Sequence, residues 1–354
     1  MRELFRIENL PTLQNRVYPT AQEAIDCPLG NVILVQDSKT GLVFNKAFNP
    51  LLLVYDHNYQ NEQAHSPSFQ AHLEQVIKII ERNAKNKTLV EIGCGKGRFL
   101  EMLYQRGHDI TGIDPAYEGT ASNIVPKPFS QDLGIRGDLL ILRHVLEHIA
   151  SPLLFLQDIL KNNQGHGLIY IEVPCLDWII QKRAWFDIFY EHVNYFRMND
   201  FKRIFRNIIE CGHLFGGQYI YVLAELSSLR DPQQSEFDSI YFPINFLESV
   251  THHASKLKIK NNSKKKYLVW GAASKGVIYS LYMQRSGVTP HYIVDINPAK
   301  QGKYIPCSGL LIENPSLAID KLHKKDIIIV MNSNYIEEIK ELTNHNFIYR
   351  TIDQ

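Results

Sequence analysis

The sequence predicts an α/β protein: a doubly wound parallel sheet, a small β-rich module before it, and a second, smaller α/β unit after it. Three observations predict this. At 354 residues the chain exceeds what one ordinary core supports. From Thr88 onward, short apolar strands alternate with amphipathic helices. That alternation breaks at the polar stretch SSLRDPQQSEFD, residues 227–238, and then restarts. The expected parts are therefore 1–62, 63–238 and 239–354.

Taken in order, NVILVQ and GLVFN read as short strands set between turn residues. In SPSFQAHLEQVIKIIERNAKNK, Ser66 is placed to cap a helix and Pro67 sits in the first turn, where a missing N–H does no harm. Leu73, Val76, Ile77 and Ile80 then recur at helical spacing. TLVEIG is a buried strand, GRFLEMLYQRG a helix, DITGID the second strand and DLLILRHV a later one. SPLLFLQDILKNN reads as another capped helix, GLIYIEVP and QYIYVLAEL as further strands. A helix is expected in INFLESVTHHASKLKIK. YLVWGAASKG, YIVDIN, DIIIVM and FIYRTI then repeat the strand pattern.

Composition excludes several functions. A net charge of +1 gives no global field for nucleic acid or anionic membrane, and the run Lys264-Lys265-Lys266 reads as a solvated flank. Cys27, Cys94, Cys175, Cys211 and Cys307 contain no C-x-x-C pair, against a disulfide scaffold or a structural zinc site. No segment approaches the ~20 apolar residues of a membrane span, and MRELFRIENLPTLQ lacks the pattern of a signal peptide. A reduced, cytoplasmic location is expected.

The strongest chemical signal is VEIGCGKGRFL. A buried strand runs into Gly93, Gly95 and Gly97, and a helix opens behind them. Glycines let the backbone turn sharply and let a ligand approach main-chain atoms. Asp114 ends the second strand, placed to accept ribose hydroxyls. Glu91 stands just before the first glycine. A carboxylate at that mouth repels a dinucleotide's phosphates and suits a cationic ligand such as S-adenosylmethionine. Next, RHVLEHI carries His144 and His148 at i,i+4, a spacing that on a helix would also serve a metal. With no third ligand evident, the preferred reading puts them on the rim of the cofactor pocket, with His148 facing substrate, and no metal is expected. Finally, WFDIFYEHVNYF, residues 185–196, sets Glu191-His192 among six aromatic residues. Either this pair is a catalytic base in a partly desolvated pocket, or it anchors a structural hydrogen-bond network.

The E-x-G-x-G-x-G turn with Asp114 resembles motifs I and II of class I methyltransferases. Together with Glu191, His192, Tyr195 and Phe196, then Gly271, Ala272, Lys275 and Gly276, then Asp295, Asn297, Pro298, Lys300, Gln301 and Gly302, it resembles the nucleotide-sugar C-methyltransferases over roughly residues 88–315. The resemblance implies a class I methyltransferase sheet and a Rossmann-like C-terminal domain. It also implies methyl transfer from S-adenosylmethionine to a ring carbon of a nucleotide-linked keto-sugar. It casts His192 as base, Glu191 as its support or as the handler of a substrate hydroxyl, and a substrate-facing tyrosine near the end of the N-terminal module; Tyr59 is the best match and Tyr55 the rival. Tyr190, Asn194, Gly271, Lys275 and Lys300 become candidate substrate contacts, the two lysines toward a diphosphate. Two features depart from the family. Asp37 and Thr40 stand where zinc cysteines are usual, so no structural zinc is expected. Phe189 stands where a tyrosine is common. The second departure keeps open an O- or N-methyltransferase acting on a sugar or other small polar metabolite. A third alternative is a non-catalytic binding protein.

Overall fold

The computed structural model describes residues 1–56, 58–232, 237–261 and 265–353. Positions 233–236 of the expected linker and Lys264 of the basic run lie outside the described residues. β1 (Arg2–Pro11), β2 (Leu29–Gln36) and β3 (Val43–Asn45) pair antiparallel. β1 adds to the expected strands. Its buried Phe5 and Ile7 alternate with exposed Arg6 and Glu8, the period of a half-buried strand.

The helix Pro67–Glu81 begins where expected, with Ser66 Oγ accepting from Phe69 N–H at 3.2 Å. β4 (Leu89–Ile92), β5 (Ile110–Ile113), β6 (Ile124–Val125), β7 (Leu139–Arg143) and β8 (Leu168–Pro174) follow, with helices Arg98–Tyr104 and Pro152–Asn162 between them. Ser151 precedes the second of these helices but makes no side-chain cap. β9 (Asn194–Tyr195) leaves this domain to pair with β3, so the opening sheet is completed by a strand from the central domain. β10 (Ile208–Leu214) and β11 (Tyr219–Glu225) close the central sheet. Its order is β10-β11-β8-β7-β4-β5-β6, parallel from β8 to β6 and antiparallel at β11 and β10. Order reverses between β4 and β7, which opens a crevice at the carboxyl ends of those strands.

After the helix Glu248–Asn261 come β12 (Tyr267–Trp270), the helix Ser274–Arg285, β13 (Tyr292–Val294), β14 (Ile312–Glu313), β15 (Ile327–Val330) and β16 (Ile348–Thr351). They form an all-parallel sheet ordered β14-β13-β12-β15-β16. The three parts interlock. Phe242 stacks on Phe5 at 5.3 Å, and Gln36 bonds Asp238 O and Ile240 N, so the chain returns to the N-terminal module before entering the last domain. Tyr18 and Tyr304 exchange backbone hydrogen bonds, and Gln218 and Asn332 exchange side-chain ones. Among the described residues, no helix is long and apolar enough to cross a membrane.

Candidate active site

The site begins at the end of β4. Gly93, Gly95 and Gly97 all take positive φ, at 78°, 55° and 79°. A Cβ on Gly93 would meet Val145 Cγ2 at 2.3 Å, and one on Gly97 would meet Ile124 Cδ1 at 2.6 Å. A Cβ on Gly95 would meet nothing within 4 Å. The outer glycines are required for packing, while the middle one borders open space. Asp114 locks the turn, its carboxylate accepting from Gly95 N–H at 2.7 Å and Ala116 N–H at 2.8 Å. Glu91 is buried with Oε2 unpartnered. Burial pushes its carboxyl up to about 7 against the pull of Arg143, helped by Asp114 and Glu172. A buried acid lacking a partner, beside open backbone, fits a cationic ligand. Lys96 Nζ bonds Gln60 Oε1 at 3.0 Å, so the N-terminal module reaches over the turn.

Behind the turn lies a buried charged network. Glu172 accepts from Tyr170 O–H at 3.0 Å and meets His72 Nε2 at 2.8 Å and Arg143 Nε at 3.4 Å. Burial alone would raise its carboxyl, but Arg143, His144 and His72 outweigh that and hold it well below the usual range. RHVLEHI forms no regular helix. β7 ends at Arg143, His144 turns left-handed at φ 53°, and a single 3-10 turn covers Leu146–His148. The two histidines therefore do not share a helix face. His144 lies 3.3 Å from Glu147 and 3.2 Å from Glu172. Burial lowers its pKa, but those two acids more than compensate and bring it to about 9.

The Glu191-His192 pair sits where all three parts meet. Glu191 Oε2 accepts from Tyr59 O–H at 2.7 Å and Oε1 from Gln14 N–H at 3.3 Å. Tyr55 packs edge-on against Tyr59 at 4.8 Å. Burial raises the Glu191 carboxyl, opposed by His148, Tyr59 and Gln14. His192 packs on Phe189 at 4.5 Å and on His148 at 4.9 Å, and its Nδ1 is buried without a partner. Burial, then the facing His148, His144 and Lys275, hold its pKa well below the usual imidazole value. At neutral pH it is an uncharged base. His148 Nδ1 bonds the Glu191 carbonyl at 2.9 Å. Glu147, His148 and His192 also bring one potential ligand atom each within 4.8 Å of the others.

The remaining expected contacts each have a partner or packing role within the chain. The Tyr190 hydroxyl is bonded to the Asn49 backbone, and its ring fills the space above Gly30. Asn194 Nδ2 donates to Ile149 O at 2.6 Å, pinning the turn that carries His148. Lys275 pairs with Asp187 at 3.0 Å and bonds Gln218 at 2.7 Å. Lys300 is buried, donating to Ala272 O at 3.1 Å beside Asp295. Gly271 packs the strand end; a Cβ on neighbouring Gly276 would strike its carbonyl at 1.8 Å. In the N-terminal module, Thr40 Oγ1 donates to Asp37 at 2.7 Å, and Cys27 Sγ lies 3.6 Å from Cys307 Sγ across the domain seam. Gln14, Glu147 and Glu172 are site residues that carry no sequence signal of their own; only the fold collects them.

Residues 57–208 match a family model described as a methyltransferase domain, and residues 233–349 one described as a C-methyltransferase C-terminal domain. The C-methyltransferase NovU of Streptomyces niveus is 22% identical over 285 residues, covering 71% of this chain and 67% of that protein. Among solved structures, a SAM-dependent methyltransferase from Archaeoglobus fulgidus is 19% identical. That match covers 45% of this chain and 100% of the other, with a TM-score of 0.33. The plantazolicin methyltransferase BpumL, in complex with a monoazolic desmethylPZN analog and SAH, is 15% identical. Its match covers 48% and 86% of the two chains, with a TM-score of 0.36.

Proposed function

From the premise that this chain is an S-adenosylmethionine-dependent methyltransferase with a C-methyltransferase C-terminal domain, we propose that it methylates a carbon of a nucleotide-linked keto-sugar by base-assisted enolate formation. One observation carries the proposal: a buried, neutral His192 stands at the seam of three domains, beside the Tyr59–Glu191 pair. Oxygen or nitrogen acceptors bring their own lone pair; a carbon acceptor needs a proton removed first.

The cofactor supplies an electrophilic methyl group on a sulfonium. Gly95 offers it open backbone, Asp114 stands at the second strand end for a ribose, and Glu91 offers a buried, unpartnered carboxyl oxygen that a cation would help to ionise. His192 removes the proton beside the keto group. Glu191 and Tyr59, already hydrogen-bonded, orient a substrate hydroxyl or the enolate oxygen. Phe189 and Tyr195 exclude water from the imidazole, and the Tyr195 hydroxyl fixes the Phe189 backbone through bonds of 3.1 and 3.0 Å. The two candidate phosphate lysines, Lys275 and Lys300, are paired internally with Asp187 and Asp295, so a diphosphate would have to compete with those carboxylates for them.

The test is His192→Ala incubated with methyl-labelled cofactor and a panel of nucleotide keto-sugars. General-base catalysis is typically worth about 10²–10⁴-fold, so turnover should fall by at least about 100-fold while S-adenosylhomocysteine binding persists. Near-full turnover would end the assignment.

A further inference from the structure

The sequence pairs His192 with its neighbour Glu191, but the fold does not. The Glu191 carboxylate faces Tyr59 and Gln14, and only its backbone carbonyl meets the histidine cluster, through His148. The carboxylate that clusters with His192 is Glu147, one of its oxygens lying within 4.8 Å of a His192 ring nitrogen without a hydrogen bond between them. It is buried, with Oε1 beside His144 at 3.3 Å and Oε2 unpartnered. His192 Nδ1 is likewise buried without a partner among the described residues. Among the described residues, these side chains belong to the one cluster whose ligating atoms lie within 4.8 Å of each other. A buried unmet acceptor and a buried unmet ring nitrogen this near complement each other. Backbone bonds hold them in register, since Val193 N–H donates to Glu147 O at 2.8 Å.

We propose that Glu147, not Glu191, is the carboxylate partner of the base. As a positioning residue it fixes the His192 ring with the proton on Nδ1 and balances the charge that appears during catalysis. This rests on the reading of His192 given above. In the step itself, the C–H bond beside the keto group breaks and its electron pair becomes the enolate. The proton goes to the other nitrogen of His192, which becomes an imidazolium facing Glu147. The groups around His192 make such a partner necessary. His148 and His144 from the turn after β7, and Lys275 from the C-terminal domain, all oppose its protonation. Glu191 from the same segment is already bonded to Tyr59 of the N-terminal module, and Tyr195 presents its ring at 6.2 Å. Glu147 is the acid left for the task.

The experiment uses the full chain with ring-¹⁵N histidine. NMR reads the His192 tautomer, assigned by its loss in His192→Ala, in wild type, Glu147→Gln and Glu147→Asp. We expect Nδ1–H in wild type, loss of that preference in Glu147→Gln, and recovery in Glu147→Asp. If Glu147→Gln fails to fold, Glu147→Asp and the wild-type tautomer still decide. On an accepted keto-sugar, kcat in Glu147→Gln should fall about 10- to 100-fold with S-adenosylhomocysteine affinity unchanged. The acid limb of its pH–rate profile should move to lower pH. An Nε2–H tautomer in wild type, or an unmoved tautomer and kcat in Glu147→Gln, overturns the proposal. So does one equivalent of Zn²⁺ bound with chelator-sensitive turnover, because those atoms would then be metal ligands. If His192→Ala is inactive while Glu147→Gln behaves as wild type, only the Glu147 assignment fails; if His192→Ala is active, the base reading itself fails.

Discussion

Two alanine substitutions two residues apart separate what the glycine turn does for folding from what it does for binding. Gly93 has φ 78°, and its Cβ would lie 2.3 Å from Val145 Cγ2. The left-handed backbone costs an L-residue about 1–2 kcal/mol. The clash adds roughly 1–3 kcal/mol, because a β-branched valine has little rotamer freedom with which to yield. Gly93→Ala should therefore lose about 2–5 kcal/mol of stability. Gly95 has φ 55° and open space in front of it. Gly95→Ala carries only the backbone term, about 1–2 kcal/mol. Its methyl group, however, enters the space where the cofactor approaches the main chain, so S-adenosylhomocysteine should bind at least about tenfold more weakly, a loss near 1.4 kcal/mol. Urea unfolding gives the first quantity, and the ligand-induced shift in unfolding free energy gives the second. That shift is worth about 2.7 kcal/mol at a ligand concentration of 100 Kd. Wild-type affinity in Gly95→Ala, or wild-type stability in Gly93→Ala, would refute this account of the turn.

Other outcomes follow from the same geometry. The Glu91 carboxyl titrates near 7 in the fold and near 4.5 unfolded, so it stays protonated in the fold where the unfolded chain has already released its proton. Unliganded stability should therefore fall as pH rises through that interval, by roughly 3 kcal/mol at ~1.4 kcal/mol per unit. Glu91→Gln should abolish the fall, seen in unfolding curves at pH 5 and 8, and should weaken S-adenosylmethionine binding at pH 8. Lys275→Met leaves the Asp187 carboxylate nearly buried and unpaired. It should destabilise by about 3 kcal/mol while leaving the Kd for a nucleoside diphosphate within about twofold of wild type by calorimetry, since the ammonium is already neutralised. The thiols of Cys27 and Cys307, 3.6 Å apart, should be the first pair lost to a disulfide oxidant such as oxidised glutathione. Peptide mass spectrometry would identify the bond, and Cys27→Ser should remove it.

The residues that were legible in the sequence are those whose role is local. The turn from β4 into its helix, with Glu91 before it and Asp114 one strand later, follows from chain order alone. Tyr59, expected from the family resemblance to face substrate with Tyr55 as the rival, hydrogen-bonds Glu191 at 2.7 Å. Side-chain direction in the segment 189–195 was left open by the sequence, because only Asn194–Tyr195 is regular strand there and the chain bends at Tyr190 and Glu191. Tyr190 enters the N-terminal module, Glu191 turns to Tyr59, and His192 turns back to Phe189 and His148. Adjacency in sequence suggested one acid–imidazole unit, whereas the backbone made two. Glu147 and Glu172 were unreadable for a different reason. Their meaning lies in buried partners from other elements, His144 for both and His72 for Glu172, the latter 100 residues away in the chain.

The two Rossmann-like units explain why one glycine turn serves chemistry and the other architecture. Each ends its second strand with an aspartate that accepts a backbone N–H from the turn: Asp114 from Gly95 at 2.7 Å and Asp295 from Ala272 at 3.0 Å. The folding solution is the same, but the space in front of it differs. Before Gly95 nothing stands within 4 Å of a Cβ, and the nearby acid Glu91 lacks a partner. In the second unit the Lys300 ammonium has entered the turn, bonded to Ala272 O and close to Asp295, and Asn15 of the N-terminal module covers Ser274 at the helix start. A cation supplied by the chain occupies the turn that, in the first unit, is left for a cation supplied as ligand. The second unit is thereby free to act as a wall, and the residue it sends to the seam, Lys275, ties that wall to the catalytic segment through Asp187, five residues from His192.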